Sequence, residues 1–107
     1  MVNKVMTNSE KVYEIVESIP RGKVLTYGIL AELVGITNPR VVGNILHSNP
    51  YEDSVHCHRV VNAQGGLAPA FAFGGAEKQK EKLLKEGATF RGEFVLLEKC
   101  LWDVDAV

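Results

Sequence analysis

The chain has 107 residues, enough for one hydrophobic core, so residues 1–107 read as a single domain. Hydrophobic residues make up 46% and charged residues 23%, which excludes a disordered chain, and no run of about 18 apolar residues is present to span a membrane. Twelve Lys and Arg against 13 Asp and Glu give a net charge of −1, which argues against a protein that grips nucleic acid mainly through phosphates.

Met1-Val2-Asn3-Lys4 leads into a helical pattern and lacks an apolar signal core. Cys57 and Cys100 are too few for a disulfide scaffold, and neither belongs to a CxxC pair. Both features suit a cytosolic address, nucleoid-associated in a bacterium or archaeon and nuclear in a eukaryote. Cys100 reads as a small buried thiol without a role.

Thr7-Asn8-Ser9-Glu10 has capping-box spacing, and Val12, Ile15, Val16 and Ile19 then recur at helical intervals until Pro20-Arg21-Gly22 ends the helix. After the extended link Lys23 to Thr26, Thr26 caps a second helix over residues 27–34, stopped by Gly35. Thr37 or Asn38 caps a third, with Pro39 preorganised for its first position, running to about Ser48. Two short helices joined by a glycine-containing turn form a helix-turn-helix pattern, which plain helical hairpins share.

Val55 to Asn62 reads as a strand or extended segment. Ala63 to Gly75 carries four glycines, Phe71 and Phe73, fits neither period, and reads as a long functional loop or lid. Ala76 to Glu86 follows as an amphipathic helix stopped by Gly87, and Phe94 to Leu97 as a last short strand. The fold class is mainly α with short strands.

The strongest chemical anomaly is His56-Cys57-His58-Arg59, where cationic neighbours favour the thiolate of Cys57. Zinc is the rival reading, through His47, His56, Cys57 and His58. It is disfavoured because alternation along an extended segment would turn Cys57 away from both histidines and no ligand pair completes a set of four. No metal or other cofactor is expected.

From Ile19 to Gly87 the chain resembles the DNA-binding and active-site domain of the O6-alkylguanine-DNA alkyltransferases, the methylated-DNA-[protein]-cysteine methyltransferases. The resemblance is carried in order by Ile19-Pro20-Arg21-Gly22-Lys23-Val24, Thr26-Tyr27-Gly28, Arg40-Val41-Val42-Gly43, Ser48-Asn49-Pro50, Cys57-His58-Arg59-Val60-Val61, Gly74-Gly75 and Glu86-Gly87. It implies a winged helix-turn-helix-like fold and a monomer that binds double-stranded DNA containing O6-alkylguanine through the minor groove, with little sequence specificity and no membrane.

Residue by residue, the resemblance implies that Cys57 accepts the alkyl group, His58 removes the thiol proton through a water, and Glu86 orients His58. Asn49 would tie the turn after the recognition helix to the active-site segment. Tyr27 would bond guanine N3 and help the leaving guanine take up charge. Arg40 would fill the gap left by the flipped nucleotide, Gly43 would permit close approach, and Leu46 would wall the pocket. The carbonyls of Cys57 and Val60 would read the base edge, Phe73 would contact DNA from the lid, and Arg59 would be structural.

Three departures stand out. His56 occupies the position usually held by proline, removing its fixed φ and adding a titratable group. Between Val61 and Gly74 the lid is about two residues longer than is common, with Phe71 and Phe73 where shorter polar residues or tyrosine are usual. Six residues before Thr7 leave no room for the N-terminal domain of many repair enzymes. A stand-alone domain of this kind also resembles the alkyltransferase-like proteins, which bind alkylguanine without repairing it, although those usually replace the cysteine. The alternative to alkyl transfer is therefore a lesion sensor that flags alkylguanine for other repair proteins.

Overall fold

The computed structural model describes residues 6–50, 55–68 and 74–104. The first helix, α1 (Asn8–Ser18), begins at the capping box: the Thr7 hydroxyl accepts from Glu10 N at 3.1 Å, and Thr7 N donates to the Glu10 carboxylate at 3.3 Å. It buries Val12 and Val16 and ends at Ile19, before Pro20.

Leu25–Thr26 forms β1, and α2 (Tyr27–Val34) follows at once because the Thr26 hydroxyl caps Ile29 N at 3.1 Å. Gly35 closes α2 at φ 86°, a left-handed conformation that glycine adopts without a Cβ penalty. The third helix, α3 (Pro39–His47), starts where Asn38 Oδ1 accepts from Arg40 N at 3.0 Å. These boundaries agree with the sequence reading, because each is set by a cap within a few residues of it.

The segment after α3 differs from expectation. Cys57–Arg59 is a 3₁₀ turn, and only Val60–Val61 is extended, as β2. The strand predicted over Val55 to Asn62 is replaced because Arg59 N donates to the His56 carbonyl and Val60 N to the Cys57 carbonyl, curling the backbone on itself. Alternation therefore cannot place Cys57 relative to its neighbours, because residues 57–59 are not extended; the His56 and His58 rings meet edge to face, 5.9 Å between centroids.

β2 pairs in parallel with β1, Leu25 opposite Val60 and Thr26 opposite Val61. This carries the cysteine-bearing turn to the start of α2. The chain then reverses tightly: Asn62 Oδ1 accepts from Gln64 N and Gly66 N, and Gly65 takes φ 88°. A Cβ on Gly65 would lie 2.3 Å from the Val95 carbonyl oxygen, so only glycine fits there. The first part of the predicted lid is thus an ordered turn. Residues 69–73, including Phe71 and Phe73, lie outside the described residues.

The fourth helix, α4 (Gly75–Lys85), starts one residue before the expected Ala76 and has Glu86 as its C-cap. Phe90–Arg91 (β3) and Phe94–Val95 (β4) form an antiparallel hairpin, of which sequence reading found only the second arm. The predicted strand over Phe94 to Leu97 stops at Val95, because Leu97–Cys100 turns into the one-turn helix α5. The mainly helical fold with short strands is as expected. No helix among the described residues is long and apolar enough to cross a membrane.

Two apolar clusters meet at the β1–β2 pair. The larger joins α1, α2 and α3 through Val12, Val16, Leu30, Val42 and Leu46 and includes Val55, Cys57 and Val60. The smaller joins Val24, Val61, Leu83, Val95 and Cys100. The functional turn is therefore built into the core, where backbone position is dictated by packing on both sides.

Candidate functional site

Cys57 is 6% exposed, on a turn held from three directions. From the α3 side, the buried Asn49 donates through Nδ2 to the Val55 carbonyl at 3.0 Å, and the same carbonyl accepts from Cys57 N at 2.9 Å. Asn49 thus joins the end of α3 to the cysteine-bearing segment. Leu46 packs in the same cluster as Cys57.

From the α4 side, Glu86 meets two residues of the turn. Arg59 grips its carboxylate with both prongs, Nε donating to Oε1 at 2.9 Å and Nη2 to Oε2, while Nη1 donates to the Ile19 carbonyl at 2.6 Å. His58 Nε2 lies 3.0 Å from Oε1. That separation is an ion-pair distance, but the atoms are poorly aligned, and the buried Nε2 has no well-directed hydrogen-bond partner. The reason is geometric: the planar guanidinium fork fixes the direction of the carboxylate, and the imidazole takes what remains. Arg59 is structural, as expected, and Glu86 faces His58 while being held mainly by Arg59.

Electrostatics follow from this burial. Burial pushes the His58 pKa below its ordinary 6.5, with Glu86 opposing and Arg59 and Lys82 assisting. For Glu86, burial acts upward but is outweighed by the bonds from Arg59 and His58, and the carboxyl stays below 4.5. His56 is also lowered, by burial and then by Arg59, against Glu86 and Glu17. All three groups have folded pKa values below their unfolded ones, so the stability they contribute is present above the unfolded values and lost as pH falls. The melting temperature is expected to hold near neutrality, to decline below pH 6.5 as buried His58 and half-buried His56 are forced to charge, and to fall faster below 4.5 as Glu86 protonates. His58→Gln should flatten the upper part of that decline in thermal melts run across pH.

From the α2 side comes Tyr27. Its phenol is held above the ordinary 10.0, first by burial and then by negative charge on Cys57, which places the hydroxyl in the electrostatic reach of the thiol. Tyr27 also lines a shallow groove of about 400 Å³ together with Pro39, Arg40, Gly43 and Asn44. Three residues singled out by sequence, Tyr27, Arg40 and Gly43, therefore share one surface. Leu46 and Val60 lie behind it in the core, and Phe73 lies outside the described residues.

The Cys57 carbonyl accepts from Val60 N, and the Val60 carbonyl accepts from Gln79 Nε2 at 3.0 Å. Gln79, fully buried on α4, was missed by the sequence reading. Its signal was a polar residue on the inward stripe of an amphipathic helix, in register with Leu83 and Glu86. Among the described residues, no group of three or more His, Cys, Asp or Glu side chains converges to hold a metal ion.

A buried thiol on a core-packed turn, followed in the chain by a histidine that faces a carboxylate and lying within electrostatic reach of a phenol, carries groups suited to nucleophilic attack with proton management. Comparison with known proteins points the same way. The family model described as "6-O-methylguanine DNA methyltransferase, DNA binding domain" matches residues 7–88. The chain is similar to alkyltransferase-like protein 1 of Schizosaccharomyces pombe, 39% identical over 99 residues that cover 86% of this chain and 91% of that protein. It is 43% identical over 79 residues to the methylated-DNA–protein-cysteine methyltransferase of Thermococcus kodakarensis, covering 73% of this chain but only 43% of that longer protein. Among solved structures, S. pombe Atl1 in complex with damaged DNA containing O6-carboxymethylguanine superposes with a TM-score of 0.76 at 32% identity, covering 90% of this chain and 94% of that one.

Proposed function

The chain belongs to the 6-O-methylguanine DNA methyltransferase family, and from that premise we propose that it flips an O6-alkylguanine out of duplex DNA and takes the alkyl group onto Cys57. The observation that carries this reading is the core-anchored 3₁₀ turn, which buries Cys57 beside Tyr27, in sequence with His58, whose imidazole faces Glu86. An alkyl carbon on O6 lies inside the duplex, and a buried thiol can meet it only if the nucleotide leaves the stack.

In the step proposed, His58 takes the Cys57 proton through a water, and Glu86 stabilises the imidazolium that forms against burial and the neighbouring Arg59 and Lys82 charges. The sulfur then attacks the alkyl carbon, an S–C bond forms, and the C–O6 bond breaks with its electron pair going to the guanine. The raised phenol of Tyr27 remains protonated at neutral pH and donates toward the charge developing on the base. The electrons balance without a cofactor. The S-alkylcysteine has no route back to thiol, so each chain acts once.

The groove at the start of α3 is the proposed DNA face, entering the minor groove with Arg40 in the vacated stack and Gly43 allowing close approach. Arg40→Ala is expected to weaken binding to a duplex bearing an extrahelical base about tenfold more than binding to a paired duplex. Titrations of both duplexes by fluorescence anisotropy check this, and an equal fall for both would leave Arg40 a phosphate contact only.

A second reading is lesion binding without transfer. It is favoured by the near end-to-end match to alkyltransferase-like protein 1 and by the poor alignment of His58 with Glu86. Intact mass after incubation with an O6-methylguanine duplex under reducing conditions separates the two. Gain of one methyl on Cys57 supports transfer, whereas lesion-selective binding with no mass gain supports the sensor.

A further inference from the structure

Gln79 is 0% exposed, an unusual place for a primary amide unless every polar atom is satisfied. Here they are. Nε2 donates to the His58 carbonyl at 3.1 Å and to the Val60 carbonyl at 3.0 Å, while Oε1 accepts from Ala68 N at 2.8 Å. One side chain therefore spans α4, both backbone carbonyls that flank Arg59, and the chain entering the loop after β2. At the C-cap of the same helix, Glu86 holds the Arg59 side chain and lies 3.0 Å from His58 Nε2. α4 thus fixes the turn twice, once by backbone and once by side chain.

An apolar residue of similar volume would fill the space but leave the His58 and Val60 carbonyls and Ala68 N without these bonds, so the amide is there for the backbone that it holds. We infer that Gln79 is a positioning residue for the flipped base. It sets the direction of the Val60 carbonyl, the group that the proposed function assigns to the base edge, and it holds the His58 backbone so that the imidazole keeps its place facing Glu86. The part concerning the base rests on the function proposed above. The part concerning His58 and Cys57 does not.

The test uses the full chain with Gln79→Met, which keeps the volume and removes all three bonds, and Gln79→Lys, whose ammonium restores donors toward the two carbonyls but not the acceptor for Ala68. Two readouts are taken well below each variant's melting temperature: the ratio of affinities for O6-methylguanine and guanine duplexes, and the pH profile of Cys57 capture by iodoacetamide. Gln79→Met is expected to lower the affinity ratio about tenfold and to shift the capture midpoint, and Gln79→Lys to recover most of both. An affinity ratio within twofold of wild type, superimposable capture profiles, or equal impairment of Met and Lys variants would overturn the inference and leave Gln79 a core residue. A wild-type chain with no lesion preference would count against the proposed function instead, and the capture profiles alone would then decide the role of Gln79.

Discussion

Glu86→Ala is expected to cost about 3–5 kcal/mol of folding stability and, with it, alkyl transfer, because it strips the counter-charge from a buried guanidinium. The Arg59 and Glu86 side chains are 8% and 9% exposed, so water cannot replace the lost partner cheaply. Arg59 would keep only its bond to the Ile19 carbonyl. That bond ties the turn to the end of α1, so the damage should spread along the larger apolar cluster. Urea unfolding at neutral pH measures the effect, and a midpoint within error of wild type would refute the clamp. Glu86→Gln separates structure from chemistry: it keeps an acceptor oxygen for Arg59 but loses the charge beside His58. It should retain more stability than alanine and still slow transfer by roughly 10²-fold, the order expected when a positioned base loses its partner.

Cys57→Ala is the second large effect. Transfer should fall below detection, since the sulfur is the only atom that forms the new bond, and the modified base should persist in the DNA. Folding should change little, because alanine leaves only a small gap in the cluster of Leu46, Val55 and Val60. Lesion-selective binding should survive within a few-fold, because the proposed flipping contacts, Arg40, Gly43 and Tyr27, lie on the groove and not on the thiol. Mass spectrometry and anisotropy on the same sample check both halves. Loss of lesion binding together with transfer would mean that the thiol itself, and not the pocket around it, recognises the alkyl group.

The parts of the fold that were legible in advance share one property: their determinants are local. Thr7, Thr26 and Asn38 each cap a helix through a bond spanning two or three residues, and Gly35 ends α2 by its own conformational freedom. Three of the proposed DNA contacts were also found from sequence motifs, and the structure brings Tyr27, Arg40 and Gly43 to one groove. The turn at Cys57 was misread because its period-2 pattern is a side effect of burial on both faces, while its curl comes from bonds between His56, Cys57, Arg59 and Val60 that no pattern of hydrophobicity records. The first arm of the hairpin, β3, was missed for a similar reason, since two residues are too few to display a period.

By itself, then, the sequence determined helices α1 to α4, the helix-turn-helix order and the identity of the residues around Cys57, because capping and motif spacing are short-range. Only the tertiary structure decided how that cluster is wired. Arg59 and not His58 holds the Glu86 carboxylate in good geometry, and Gln79 fixes the backbone beneath them. Both outcomes depend on residues 19 or more positions apart competing for a few buried hydrogen-bonding directions, and that competition exists only once α4 is packed against the turn.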